Sequence, residues 1–218
     1  MSVISDVVSV PADRRTLPGD FVVPQSARAV VLFAHGLHTP RSHPRIHAVC
    51  AELHQAGIGT LSLDLFSEME GPRVDAAQDQ PVDMEMLGRR LTAAVDWLKI
   101  QPDTRALPVI LFAAGAEAAV ALRTAAELPD RVLTVVSWAG QPELAGDALE
   151  RVRVPVLFIT GSQSPQELRT AQDAARRLAA PSSLREVRAA SHQFDEPDAL
   201  NQAAEVTQGW IDDRLRSL

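Results

Sequence analysis

The chain has very little of several residue types, and each shortage excludes something. There is one cysteine, Cys50, in 218 residues, so no internal disulfide can form. Lys99 is the only lysine, the arginines are scattered, and the net charge is -7. That balance argues against nucleic acid or an anionic membrane as a partner, since both need a basic patch. No apolar run approaches the roughly 18 residues of a membrane span. Residues 1–13 are mixed, acidic and proline-containing, unlike a secretory leader. There is no tyrosine, with three Trp and six Phe, which points to an aliphatic pocket rather than an aromatic cage. No repeat, low-complexity stretch or linker interrupts residues 1–218, which read as a single domain. The expectation is a soluble cytoplasmic protein, monomer or homodimer, without cofactor.

Short apolar, β-rich runs alternate with longer amphipathic stretches, the pattern of a mostly parallel sheet with helices on both faces. Val7–Val10 and Asp20–Val23 read as a leading pair of strands around a Pro/Gly turn. Ala29–Ala34, Thr60–Leu65, Val109–Ala114, Val132–Trp138, Val154–Thr160 and Leu184–Val187 complete eight strands. Helices are expected over Ile46–Gln55 (stopped by Gly57), Met84–Lys99, Glu117–Glu127, Ala171–Leu178 and Leu200–Leu215. In the Met84–Lys99 helix, Met84, Leu87, Leu91, Val95 and Leu98 share one face. The polar stretch from Ser67 to about Pro81 reads as a surface loop.

Three local signals follow strands in order. Phe33-Ala34-His35-Gly36 closes a buried run, Ala113-Ala114-Gly115-Ala116-Glu117 bridges a strand and a helix, and Ala190-Ser191-His192-Gln193-Phe194 follows the last strand. With Leu128-Pro129-Asp130-Arg131-Val132, Pro155 and the stretch Arg41–Arg45, these resemble the α/β-hydrolase superfamily, and its dienelactone-hydrolase-like branch in particular, over about residues 15–215. The resemblance implies a doubly wound, mostly parallel eight-stranded sheet without a separate lid domain. It also implies an oxyanion turn at His35-Gly36-Leu37, completed by the N–H of Ala116, a nucleophile elbow at residue 115, an acid after the seventh strand and a histidine at His192.

The chemistry departs from that pattern. The elbow motif G-x-S-x-G reads A-A-G-A-E, with Gly115 at the nucleophile position. The acid position falls in Gly161-Ser162-Gln163-Ser164-Pro165, with Ser164 in place of a carboxylate. A triad needs an oxygen or sulfur nucleophile whose proton the histidine takes, and glycine offers none.

His192 therefore stands as a retained base or as a relic. Glu117 stands as a new acid or base facing His192, or as a helix N-terminal acid. Asp64 and Trp138, at strand ends, are candidates for the pocket wall. Ser137, Ser162, Ser164 and Ser191 stand as candidates for a displaced nucleophile or as ordinary loop and strand serines. Cys50 reads as a buried small hydrophobe. His38, His43 and His47 read as surface or rim histidines rather than metal ligands.

Three functions remain open. One is a pocket for a small carbonyl or carboxylate compound, with binding or His-dependent isomerase, lyase or cyclase chemistry. Another is an esterase-like hydrolase with a relocated nucleophile or activated water. The third is a pseudoenzyme acting through protein contacts, with residues 67–83 as the contact loop.

Overall fold

In a computed structural model that describes residues 3–36, 39–70, 83–191 and 194–218, eight strands form one sheet. They are β1 (Val3–Ala12), β2 (Arg15–Pro24), β3 (Val30–His35), β4 (Gly59–Asp64), β5 (Val109–Gly115), β6 (Val132–Gly140), β7 (Val156–Gly161) and β8 (Ser182–Val187). Their spatial order is β1-β2-β4-β3-β5-β6-β7-β8. β2 runs antiparallel to both neighbours, and every pairing from β4 to β8 is parallel. Five α-helices lie among the described residues: α1 (Pro44–Gln55), α2 (Met84–Ile100), α3 (Glu117–Glu127), α4 (Pro165–Arg177) and α5 (Pro197–Arg216).

Parallel strands covered on both faces must be apolar along their whole length, and all six residues of β3 are buried. Alternate side chains feed two cores. Leu87, Leu91, Val95 and Leu98 of α2, the alanines of α3, and Ala171 and Ala174 of α4 pack on one face. Ile46, Val49 and Leu53 of α1, with Ala199, Ala203 and Ile211 of α5, pack on the other. The carboxyl ends of β3 to β7 therefore all open on one edge, where open α/β sheets bind ligands.

Three details differ from the sequence expectation. The β1–β2 turn is Asp13-Arg14, both at positive φ (47° and 60°), the requirement of a two-residue hairpin turn. Pro18 and Gly19 lie inside β2 instead, and the β4 pairing begins only at Gly19, so Pro18 forfeits no bond on that side. α4 starts at Pro165, six residues earlier than the Ala171 expected from periodicity. Its exposed first turns carry no apolar stripe, and only Ala171 and Ala174 are buried. A 3₁₀ segment, Pro142–Arg151, kinks at Gly146 (φ 57°) in a region with no periodic signal. The expected loop is described only as far as Glu70, and the remainder of that expectation lies outside the described residues. Among the described residues no helix is long and apolar enough to cross a membrane.

Candidate active site

β5 ends in Gly115 at φ +56°, in the left-handed region, and α3 begins two residues later. Ala116 occupies the N-cap position with no side-chain cap. This is the sharp strand-to-helix turn of a nucleophile elbow, kept in backbone form with no reacting atom on it. Glycine reaches this φ without the strain a side chain would bring. The half-buried Glu117 folds its side chain back over the turn. A Cβ on Gly36 would collide with its Oε1, and a Cβ on Gly115 would lie 3.7 Å from its Oε2. The carboxylate thus lies against both glycines, one from the oxyanion turn and one from the elbow.

His35 is buried, with Nε2 2.7 Å from the Ser62 hydroxyl, and its ring stacks with Phe33 at 6.0 Å between centroids. Burial pushes its pKa down to about 4, only partly offset by a hydrogen bond with the Thr39 backbone. At neutral pH it is uncharged at the end of β3. Arg41, in the turn that leads into α1, is held between two carboxylates. Its backbone N–H donates to Asp64 Oδ1 at 2.9 Å, its Nε lies 3.1 Å from Asp64 Oδ2, and its Nη1 reaches Asp20. Burial raises the Asp64 pKa and Arg41 opposes that rise, so Asp64 is engaged in holding the turn. The segment Arg41–Arg45 drew notice in the sequence only through the family resemblance. The pairing of Arg41 with Asp20 could not be read, because Asp20 lies on β2 and Arg41 in the connection after β3, 21 residues on.

Trp138 packs between Phe112 (5.0 Å) and Phe194 (5.3 Å) and donates its indole N–H to Thr207 of α5 at 3.0 Å, which places it in the core. Ser137 is 1% exposed, closed in by Gly140 and Ala118. Ser162 accepts from the Ala189 N–H at 2.9 Å. Ser164 occupies the N-cap position of α4 without a side-chain bond. Ser191 donates through its N–H and hydroxyl to Glu196. Among the described residues, Ser191 alone of these four has a carboxylate on its hydroxyl. Cys50 is buried, and burial pushes its thiol up to about 12, far from a thiolate. His43 caps α1, its Nδ1 accepting from the Arg45 N–H. No group of His, Cys, Asp or Glu able to hold a metal occurs among the described residues. His192, Leu37 and His38 lie outside the described residues. Of the residues near His192 in the chain, Phe194 is buried, Asp195 pairs with Arg45 at 3.1 Å, and Gly161 packs beneath the carbonyls of Ala190 and Ser191.

This sheet order, with its one antiparallel strand and an elbow after β5, defines an α/β-hydrolase fold. No protein-family model matches the chain. A dienelactone hydrolase from Anabaena variabilis is 36% identical, with a TM-score of 0.93 over 98% of this chain and 99% of that one. The chain therefore belongs to the dienelactone-hydrolase-like α/β-hydrolases. Est1E from Butyrivibrio proteoclasticus shares the fold at 13% identity, with a TM-score of 0.80 over 96% of this chain and 99% of its own. Proteins of two Mycobacterium tuberculosis strains, provisionally named phosphoribosyl transferases, are 36% identical over 208 residues, which is 95% of this chain and 46% of theirs. The chain spans just under half the length of those relatives.

Proposed function

We propose that this chain works without a serine nucleophile. In this reading it keeps a small-molecule pocket at the carboxyl edge of the sheet. There it binds a ligand or moves a proton with His192 and Glu117, in chemistry of the isomerase, lyase or cyclase type. The observation that carries the reading is the elbow itself, with Gly115 at φ +56° and the Glu117 carboxylate against Gly36 and Gly115. Acyl transfer through this turn has no atom to begin it. What an oxyanion turn and binding alone supply is on the order of 10³–10⁴ over water. A carboxylate in the first turn of α3 is favoured by the helix dipole and can accept a proton from a bound molecule.

The test is a fluorophosphonate probe and a panel of p-nitrophenyl esters, with wild type and His192→Ala side by side. The expected result is no label and no turnover in either. Labelling, or turnover that vanishes in His192→Ala, would restore the alternative of a hydrolase with a displaced nucleophile. The buried or engaged states of Ser137, Ser162 and Ser191 speak against that alternative.

A second reading, a role in protein contacts, is favoured by the relatives of double length. In them the matching half is joined to further chain under the name of a phosphoribosyl transferase. On this reading the present chain docks with such a module. It predicts co-elution with the other half of the Mycobacterium tuberculosis relatives, unaffected by His192→Ala.

A further inference from the structure

We infer that Ser162 and Gln163, in the loop after β7, act as positioning residues for the segment that leads to His192. This rests on the proton-moving role proposed for His192 above. In a catalytic triad the acid side chain holds the histidine ring in place. In this chain the loop at the acid position grips the backbone at Ala189 instead, three residues before the histidine.

Hydrogen bonds make the grip. The Ser162 N–H donates to the Val187 carbonyl and the Gln163 N–H to the Ala190 carbonyl, both at 3.0 Å. The Ala189 N–H donates to Ser162 Oγ at 2.9 Å, and the Gln163 side-chain amide donates to the Ala189 carbonyl at 3.4 Å. Gly161 lets the two segments touch, since a Cβ there would run into the carbonyls of Ala190 and Ser191. Val187 and Ala190 are buried, which gives the turn a fixed base. What is gripped is a strained conformation. Ala189 sits at φ +54°, in the left-handed region that an alanine adopts only where its surroundings impose it. Released, Ala189 would relax toward negative φ and swing the chain that follows it.

The test needs no substrate, so it stands apart from the fluorophosphonate assay: a labelled serine would sink the proposed chemistry and leave this grip in place. The ring resonances of His192 and His35 are followed by NMR in the full chain, for wild type, Ser162→Ala and Ser162→Thr, with a check of folding. In Ser162→Ala the Ala189 amide should exchange up to about tenfold faster, the loss of one hydrogen bond. The His192 resonances should shift or split, while those of His35, at the end of β3, stay in place. Ser162→Thr keeps the hydroxyl and should restore the wild-type spectrum. Ala189→Gly removes the strain, and in that background Ser162→Ala should have a smaller effect on His192. Unchanged His192 resonances in a folded Ser162→Ala variant overturn the inference. An equal shift at His35 does so too, because it marks general loosening rather than positioning. An undiminished effect in the Ala189→Gly background also overturns it, since the strained turn would then play no part.

Discussion

Gly161 ends β7 with the backbone carbonyls of Ala190 and Ser191 directly over it, so that a Cβ would run into both. Backbone cannot swing aside as a side chain can. Gly161→Ala should therefore lower stability by about 3 kcal/mol, at the upper end of overpacking costs. It should also loosen the 188–191 turn that leads to His192. Gly209, in the exposed middle of α5, has nothing within 4 Å of its would-be Cβ. Gly209→Ala should stabilise by about 0.5–1 kcal/mol through lost unfolded-state freedom and better helix propensity. Urea denaturation of the two variants measures both, and equal effects would contradict the packing argument. The same residue type is thus obligatory at one position and dispensable at the other. Sequence inspection flags both as glycines and ranks neither.

At the level of elements, α2 is fastened to the chain leaving β4 through Arg90. Its side chain is 2% exposed, donates to the Leu65 carbonyl at 2.8 Å and pairs with Glu70 at 2.7 Å. Glu70 also accepts from the backbone and hydroxyl of Ser67. The Arg90 bond above all, with the Ser67 bonds, pulls the Glu70 pKa from 4.5 to about 2. The folded state then binds fewer protons than the unfolded state between these values. The contribution is complete above about pH 4.5 and is lost as pH falls toward 2. Its size is about 1 kcal/mol, because the carboxylate keeps one side open to water. Glu70→Gln should cost about 1–3 kcal/mol at pH 7, since the buried guanidinium loses its charge partner. It should also flatten the pH dependence of the urea midpoint between pH 4.5 and 2. A midpoint that falls as steeply in the variant as in wild type would show that other carboxylates set the acid limb.

For the molecule as a whole, the sheet is strong at its centre and soft at one edge. β3 is buried from end to end between β4 and β5. β1 has a neighbour on one side only, and its first residues are largely exposed, Val7 at 79%. Amide hydrogens of β3 and β5 should exchange only through global unfolding. Those of Val3–Val7 should exchange at least about 100-fold faster through local fraying. Hydrogen exchange followed by NMR reads this directly. Protection of β1 equal to that of β3 would mean that something covers the edge in solution.

The sequence by itself determined the sheet and its helices, because buried parallel strands must be continuously apolar and their covering helices must carry a stripe. Ala29–Ala34, Val109–Ala114 and Glu117–Glu127 were legible for that reason. That residue 115 is a glycine, with no side-chain oxygen or sulfur, was equally legible, since it is a matter of which atoms the residue has. Local physics of another kind escaped: the Asp13-Arg14 turn carries no glycine, and the first turns of α4 carry no apolar pattern. Only the tertiary structure decided where charge and space lie at the site. It bent the Glu117 carboxylate over Gly36, 81 positions earlier in the chain. It put Asp64 and Asp20 on one arginine, closed Ser137 away beneath α3, and turned Trp138 into the core. These are contacts between segments distant in sequence, and no local periodicity encodes them.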